Sequence, residues 1–235
     1  MGGGRSFVPA PHAGLRRDNR LARCDGRVQI SERVNFLQDP LMTGPSKRRL
    51  ETAKRIQAAA IRLADRDGMS NVTTEAIARE SGVSPRTFFN YYPYKEAAIY
   101  GPPKDYPREA SDAFVVANGR LIDDLSKLMQ AHLSRFTDQR DQVAAVIRLA
   151  ATDAKLAALQ QTALLERHSV MEQMLRQRLT DHDPRFAPIL AAAIISATRH
   201  AVLDWVEGRT DDLVGQAIEN IGMIEAAGNI LMRKG

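Results

Sequence analysis

The 235-residue chain has little cysteine, few aromatic side chains (6%) and no unbroken apolar run of membrane-spanning length. Its one cysteine, Cys24, has no partner for an internal disulfide and cannot supply the paired spacing of a structural zinc site, which fits a reducing compartment and leads us to expect the cytoplasm. A stretch of about 18 uninterrupted apolar residues would read as a transmembrane helix, and none is present. The first 30 residues are rich in Arg and Gly and lack the apolar core of a secretory signal, so neither a membrane nor export is expected. Strand-like alternation is also missing, and no repeat of 20 to 50 residues is visible, so a solenoid is not expected. Signatures of catalysis are equally sparse. His132, His168, His182 and His200 lack the i, i+4 pairing of a helical metal site, no His-Glu-x-x-His occurs, and no glycine loop is built to cradle phosphate. The densest titratable cluster, Asp181-His182-Asp183, precedes Pro184 in a turn, where capping accounts for it. No metal, no cofactor and no enzyme are expected.

What is present is a globular composition, 44% hydrophobic and 26% charged, with a net charge of +5 that is unevenly spread. Residues 1–46 carry 7 Lys and Arg against 4 Asp and Glu, residues 47–101 carry 10 against 6, and residues 102–235 carry 16 against 18. A basic front and a faintly acidic rear suggest that the first hundred residues meet a polyanion and the remainder something else. Residues 1–46 combine scattered Gly and Pro with no sustained periodicity and read as a flexible basic tail. Met42 stands just before the first helical run and is a candidate translation start alternative to Met1. Met1-Gly2 with Ser6 fits a myristoylation pattern of the kind that recurs by chance.

From Lys47 onward helical spacing dominates. Gly68, Gly82, Gly101-Pro102-Pro103, Asp181 to Pro184 and Gly208 punctuate it. The prolines at 102, 103 and 107 mark a boundary between a unit at 47–101 and a larger one at 102–235. In the first unit Ile56, Ala59, Ala60 and Leu63 form an apolar stripe on a packing helix that ends at Gly68. Thr73 then caps a short helix with Ile77 and Ala78 facing inward, and Gly82 permits a tight turn. Ser84-Pro85 opens a third helix, with Ser84 as cap and Pro85 where a missing N–H costs nothing. The spacing of Ile77, Ala78, Gly82, Val83 and Phe88 is that of a helix-turn-helix; an ordinary helix pair around a glycine is the alternative.

The stretch Arg55-Ile56-Gln57-Ala58-Ala59-Ala60-Ile61-Arg62-Leu63, then Gly68, then Val72-Thr73-Thr74-Glu75-Ala76-Ile77-Ala78, then Ser81-Gly82-Val83-Ser84-Pro85-Arg86-Thr87-Phe88-Phe89-Asn90-Tyr91-Tyr92-Pro93-Tyr94-Lys95-Glu96 resembles the DNA-binding domain of TetR-family transcriptional regulators. The Arg-Thr-Phe-Phe-Asn-Tyr version resembles a subgroup frequent in actinobacteria. The resemblance implies an all-α homodimer: an N-terminal three-helix DNA-binding domain, and a helical bundle that binds a small-molecule effector and so releases a palindromic operator, most often as a repressor. At the matching positions the third helix would enter the major groove by its leading end, presenting Pro85, Arg86 and Thr87 and, a turn later, Asn90 and Tyr91. A guanidinium can grip guanine O6 and N7 together, so Arg86 is the first candidate for base reading, with a phosphate or surface role as the alternative. Asn90 is either a second reader or a solvent-facing residue. Thr73, Thr74, Ser84, Thr87 and Tyr91 are candidates for the double-stranded DNA interface through their hydroxyls; Thr73 and Ser84 also suit local capping. Lys95, at the start of the next helix, is a candidate phosphate contact. Lys47, Arg48 and Arg49 would reach the backbone from a mobile arm, with a hydrated surface run as the alternative. Three positions depart from the pattern: Phe89 stands where Tyr is usual, Tyr92 where Phe is usual, and Tyr94 where a capping Ser is usual. A helical adaptor that has lost specific DNA binding is therefore kept as an alternative function, and an α-helical enzyme as a more distant one.

The rear unit divides into helical segments at about 108–136, 139–152, 154–180, 185–207 and 211–233, the fourth started by Asp183-Pro184 and closed by Gly208. Leu190, Ala193, Ile194, Ala197 and Ala201 form one stripe, and Leu213, Ala217, Ile221 and Ile224 another. Each stripe is a candidate homodimer interface or an intramolecular core, and the resemblance favours the interface. Candidate effector contacts are Leu128, Met129, His132, Leu164, His168, Met171, Met174, Leu175 and Trp205, which mix flexible apolar side chains with occasional polar ones; ordinary core for the Met and Leu positions and a structural role for each His are the alternatives. No basic cluster for a phosphorylated ligand is visible in the rear unit, so an apolar or amphipathic effector is expected.

Overall fold

The structure is a computed structural model that describes residues 47–102 and 104–233. The tail at 1–46, with Cys24, the myristoylation pattern and both candidate starts, and Pro103 of the boundary lie outside the described residues. Within them the chain is all-α: α1 (Lys47–Asp67), a 3-10 turn at Met69–Asn71, α2 (Thr74–Glu80), α3 (Pro85–Tyr91), α4 (Lys95–Tyr100), α5 (Arg108–Val116), α6 (Leu121–Leu133), α7 (Arg140–Ala150), α8 (Ala154–Arg178), α9 (Phe186–Val206) and α10 (Leu213–Met232).

Helices α1 to α4 form the head. Ile56, Ala59, Ala60 and Leu63 project from α1 into a cluster shared with Ile77, Ala78, Phe88, Tyr92, Ala98 and Ile99. Small side chains on both sides let short helices cross closely, and the burial they obtain replaces the stability that helices of six or seven residues lack alone. The same cluster takes in Ala145, Val146, Leu149 and Ala150 of α7 and Leu156 of α8, so the head is packed directly onto the body. Helix α8 joins the two. Its first turn belongs to the head's core, while Met171, Met174 and Leu175 near its other end belong to the body's core with Phe114, Leu128, Met129, Ile194, Trp205, Ala217 and Ile221.

Four expectations are corrected. The segment at 108–136 is two helices, because Ala117 is extended and Arg178 closes the break: its guanidinium donates to the carbonyls of Phe114 (2.7 Å) and Gly119 (3.0 Å) and to Asp124 Oδ2 (2.6 Å). The fourth rear helix begins at Phe186 rather than at Pro184. Asp183 still serves its start, since Oδ1 accepts from the Arg185 N–H at 2.9 Å. Lys47 to Arg49 are not on an arm but in the first turn of α1.

The fourth correction concerns the dimer stripes. Ile194, Ala201, Leu213, Ala217 and Ile221 are buried in this chain's own core and hold α9 to α10 within one chain, whereas Leu190, Ala197 and Ile224 are only partly buried against it. The stripe that faces core and the stripe that faces a partner have the same period, and sequence does not separate them. Helix α9 also reaches a mean hydropathy of 1.6 over an 18-residue window, long and apolar enough to cross a membrane by composition, although Thr198, Arg199 and His200 interrupt the run. Only 28% of that window is buried. Its outward face carries Phe186 and Ile189, and the outer face and end of α10 carry Met223, Ile230, Leu231 and Met232, all exposed.

Candidate functional site

The helix-turn-helix is built by local hydrogen bonds that the sequence dictates. Thr73 Oγ1 accepts from the Ala76 N–H (3.1 Å) and starts α2; Ser81, buried at its end, donates to the Ile77 carbonyl at 2.7 Å. Gly82 has φ +67, a left-handed conformation that reverses the chain so that the Val83 N–H can reach the Ala78 carbonyl at 2.9 Å. Ser84 Oγ accepts from the Thr87 N–H (3.1 Å) and lies 2.8 Å from Thr87 Oγ1, so both hydroxyls are tied into the start of α3.

Phe88 then fixes which face of α3 is free. It is fully buried, which turns Ser84, Pro85, Arg86, Phe89 and Asn90 to the exterior with Thr87 and Tyr91 half-buried at the flanks. Arg86 makes no hydrogen bond or ion pair within the described residues, leaving its guanidinium available. Thr73 is exposed and Thr74 half-buried at the start of α2. Tyr91 lies beneath Arg49, whose guanidinium carbon stands 5.7 Å from the ring centre.

The departures noted in sequence have structural explanations. Tyr92 is buried and its hydroxyl donates to the Ala53 carbonyl at 3.1 Å, tying α3 to α1; burial pushes the phenol well above its ordinary value. Phe89 is half exposed and packs edge-on against Phe88 at 5.4 Å. Tyr94 makes no side-chain cap on α4. Lys155 instead sits 3.9 Å over the Tyr94 ring and reaches Glu96 Oε2 at 3.0 Å. Lys95 turns away from the helix start: Nζ donates to the carbonyls of Met69 (2.6 Å) and Val72 (3.0 Å), which ties the 3-10 turn to α4 and leaves one of its three N–H groups uncommitted.

Behind the head lies a pocket of about 410 Å³, a size suited to a small molecule. Its walls are aliphatic, with Val143, Val146, Ile147, Leu164, Ile195 and Val202 beside Trp205. Of the candidates named from sequence, His132, Leu164 and Trp205 line it. Met129, Met171 and Leu175 are fully buried core and Leu128 and Met174 are core as well, while His168 is off the lining. Sequence reading missed Tyr100, Lys104, Tyr106, Phe136, Arg167 and Thr198. Tyr100, at the very end of α4, and Lys104 flank the boundary prolines rather than a periodic apolar stripe, which hid them. Burial drives the Lys104 ammonium down to about 8, with Arg167 adding to the effect, and holds His132 down to about 4. The Tyr106 phenol is pushed up to about 12, again chiefly by burial. Tyr100, the last residue of α4, places head and pocket within one side chain of each other.

Residues 56–97 match the family model described as bacterial regulatory proteins, tetR family. No curated protein matches the chain. Similar solved structures include Thermus thermophilus FadR, described as a TetR family transcriptional repressor in complex with lauroyl-CoA, at 21% identity and a TM-score of 0.48 over 78% of this chain and 97% of that one. The fatty acid degradation regulator FadR from Bacillus halodurans is 18% identical, with a TM-score of 0.48 over 77% of this chain and 95% of that one. A transcriptional regulator from Rhodococcus is 19% identical, with a TM-score of 0.46 over 74% and 96%.

Proposed function

We propose, from the premise that residues 56–97 are a DNA-binding domain of the tetR regulator type, that the chain is a homodimeric, ligand-released transcriptional repressor. The observation that carries this reading is the free leading end of α3, where Arg86 and Asn90 stand outward above the buried anchor Phe88. Arg86 reads a guanine edge; Asn90 lies one turn on, within the same groove. Pro85 leads that end into the groove, and Thr73, Thr74, Ser84, Thr87, Tyr91 and Lys95 position it on phosphate, with Thr73, Ser84 and Lys95 also serving their local bonds.

A single helix of seven residues reads too few base pairs to hold an operator. Two copies about 34 to 36 Å apart address a near-palindrome on one face of the duplex. The outward apolar faces of α9 and α10, with Phe186, Ile189 and Met223 exposed, supply the surface by which two chains associate. Release follows from linkage: an effector that fills the pocket beside Tyr100 favours one disposition of α4, and if that disposition spaces the two α3 helices wrongly, DNA affinity falls by the same factor by which DNA weakens the effector.

Selecting bound duplexes from a random pool at fixed salt tests the proposal. A two-fold symmetric site is expected to emerge; a pool that stays random would defeat it.

A further inference from the structure

We propose that the pocket takes an amphipathic acid, its anionic head held between Lys104 and Arg167, a hydroxyl or amide N–H of the same ligand donating to His132 Nδ1, and its apolar body running along the aliphatic wall to Trp205. The inference deepens the effector reading above and depends on it only for the consequence on DNA.

Three observations converge on this chemistry. The first is a cation pair without a counter-charge. Lys104 and Arg167 come from the α4–α5 connection and from α8, both line the cavity, and neither is ion-paired to a carboxylate among the described residues. Lys104 instead stands 5.4 Å over the Phe136 ring. The carboxylates of Asp105 and Glu166, on exposed residues, act on Tyr100, but every charge acting on Lys104 or His132 is cationic: Arg167 on both, and Arg135 and Lys104 also on His132. Partly desolvated cations held together in an apolar cavity are costly unless an anion joins them.

The second is an orphaned atom. His132 is 6% exposed, lines the cavity, and its Nδ1 has no hydrogen-bond partner. The ring stacks between Tyr106 (4.5 Å) and Phe136 (5.5 Å). Burial and the surrounding cations keep the imidazole neutral, while its N–H bonds to the Asp105 backbone. With Nδ1 unpartnered within the protein, that proton belongs to Nε2, and Nδ1 presents a lone pair to the cavity that a donor on a ligand can satisfy in place of water.

The third is the shape of the remainder. Beyond this pole the lining is aliphatic and ends at the indole of Trp205, so an acid with an extended or flat apolar body fits, whereas a fully polar anion would leave the wall unoccupied.

Trp205 is the chain's single tryptophan, and its fluorescence therefore reports the pocket without DNA. The intact chain is titrated with decanoate, 1-naphthoate, 3-hydroxydecanoate, decanol and decyltrimethylammonium, all below micelle-forming concentrations. At least one of the two simple acids is expected to bind about tenfold or more tighter than decanol and the cation, a margin typical of a charge-assisted contact. Lys104→Met combined with Arg167→Met should abolish that margin, while Lys104→Arg keeps it. 3-Hydroxydecanoate should bind severalfold more tightly than decanoate, and His132→Phe should remove that increment alone. Melting curves confirm that each variant is folded; should the double variant not fold, Lys104→Met alone carries the comparison. The proposal is overturned if the alcohol or the cation binds as tightly as the acids, if no acid perturbs Trp205, or if the margin survives loss of the cations. Because the readout needs no DNA, binding of acids together with a failed operator selection would retire the regulator reading and leave this one standing.

Discussion

Gln57 and Gly101 interlock where α1 meets the end of α4: the Gln57 amide donates to the carbonyls of Ile99 (3.1 Å) and Tyr100 (3.0 Å), and it already fills the space a Gly101 Cβ would need. Gly101 also has φ +88, a region closed to most side chains. One buried amide thus satisfies the last carbonyls of α4, the helix that runs from the helix-turn-helix head to the pocket.

Gly101→Ala should therefore destabilise the chain by about 2 to 4 kcal/mol, combining backbone strain with overpacking against a fixed side chain. Gly68, with φ +80 but nothing within 4 Å of its Cβ position, is the control. Gly68→Ala should lose only the strain component, about 1 kcal/mol. Denaturant melts of the two variants check the difference, and equal losses would mean that the Gln57 contact contributes nothing.

Lys95→Met should lower the stability of the free chain as well as any DNA affinity, because Nζ holds the carbonyls of Met69 and Val72. Removing a charged donor from two partly buried acceptors costs about 1 to 3 kcal/mol. A residue that served phosphate alone would leave the melting curve of the DNA-free chain unchanged.

His132 gives the molecule a pH signature. Its folded value, near 4, lies below the ordinary 6.5, so the folded state resists protonation. The stability this group contributes is present above pH 6.5 and is lost as pH falls from 6.5 through 4. The gap corresponds to about 3 kcal/mol between the protonation states. Melts across this window should show a decline in the wild type that His132→Phe lacks; parallel declines would place His132 outside the buried pole.

The clamp at the α5–α6 break titrates lower. Hydrogen bonds from Lys127 and from Arg178 hold the Asp124 carboxyl below its usual 3.8. Its contribution is present above that value and is lost as pH falls below it. Arg178→Met should lower the unfolding midpoint at pH 7, and the gap to wild type should narrow in strong acid. A gap that is constant with pH would assign the loss to the Phe114 and Gly119 carbonyls instead.

The head was legible in sequence because its signals are local: Thr73 and Ser84 cap the helices they precede, Gly82 turns where positive φ is needed, and the spacing from Ile77 to Phe88 leaves one register. The body was legible as helices but not as faces. Ile194 and Ala217 share the period of the outward Ile189 and Met223, and only tertiary packing distinguishes inward from outward. The pocket was half legible. His132, Leu164 and Trp205 lie on patterned helices, whereas Lys104 follows two prolines, and Arg167 sits on a long helix with charge on several sides. The break near Gly119 escaped because its cause, Arg178, is 59 residues away along the chain.

The most direct test of the account is the affinity of the wild type and of Arg86→Ala for the selected duplex and its single-base variants, measured by anisotropy at one salt concentration. The expected result is a loss of about 1 to 3 kcal/mol for Arg86→Ala, with discrimination relaxed at the same base in each half-site. Unchanged affinity, or a loss that is uniform across every base variant, would contradict the claim that α3 reads sequence through Arg86.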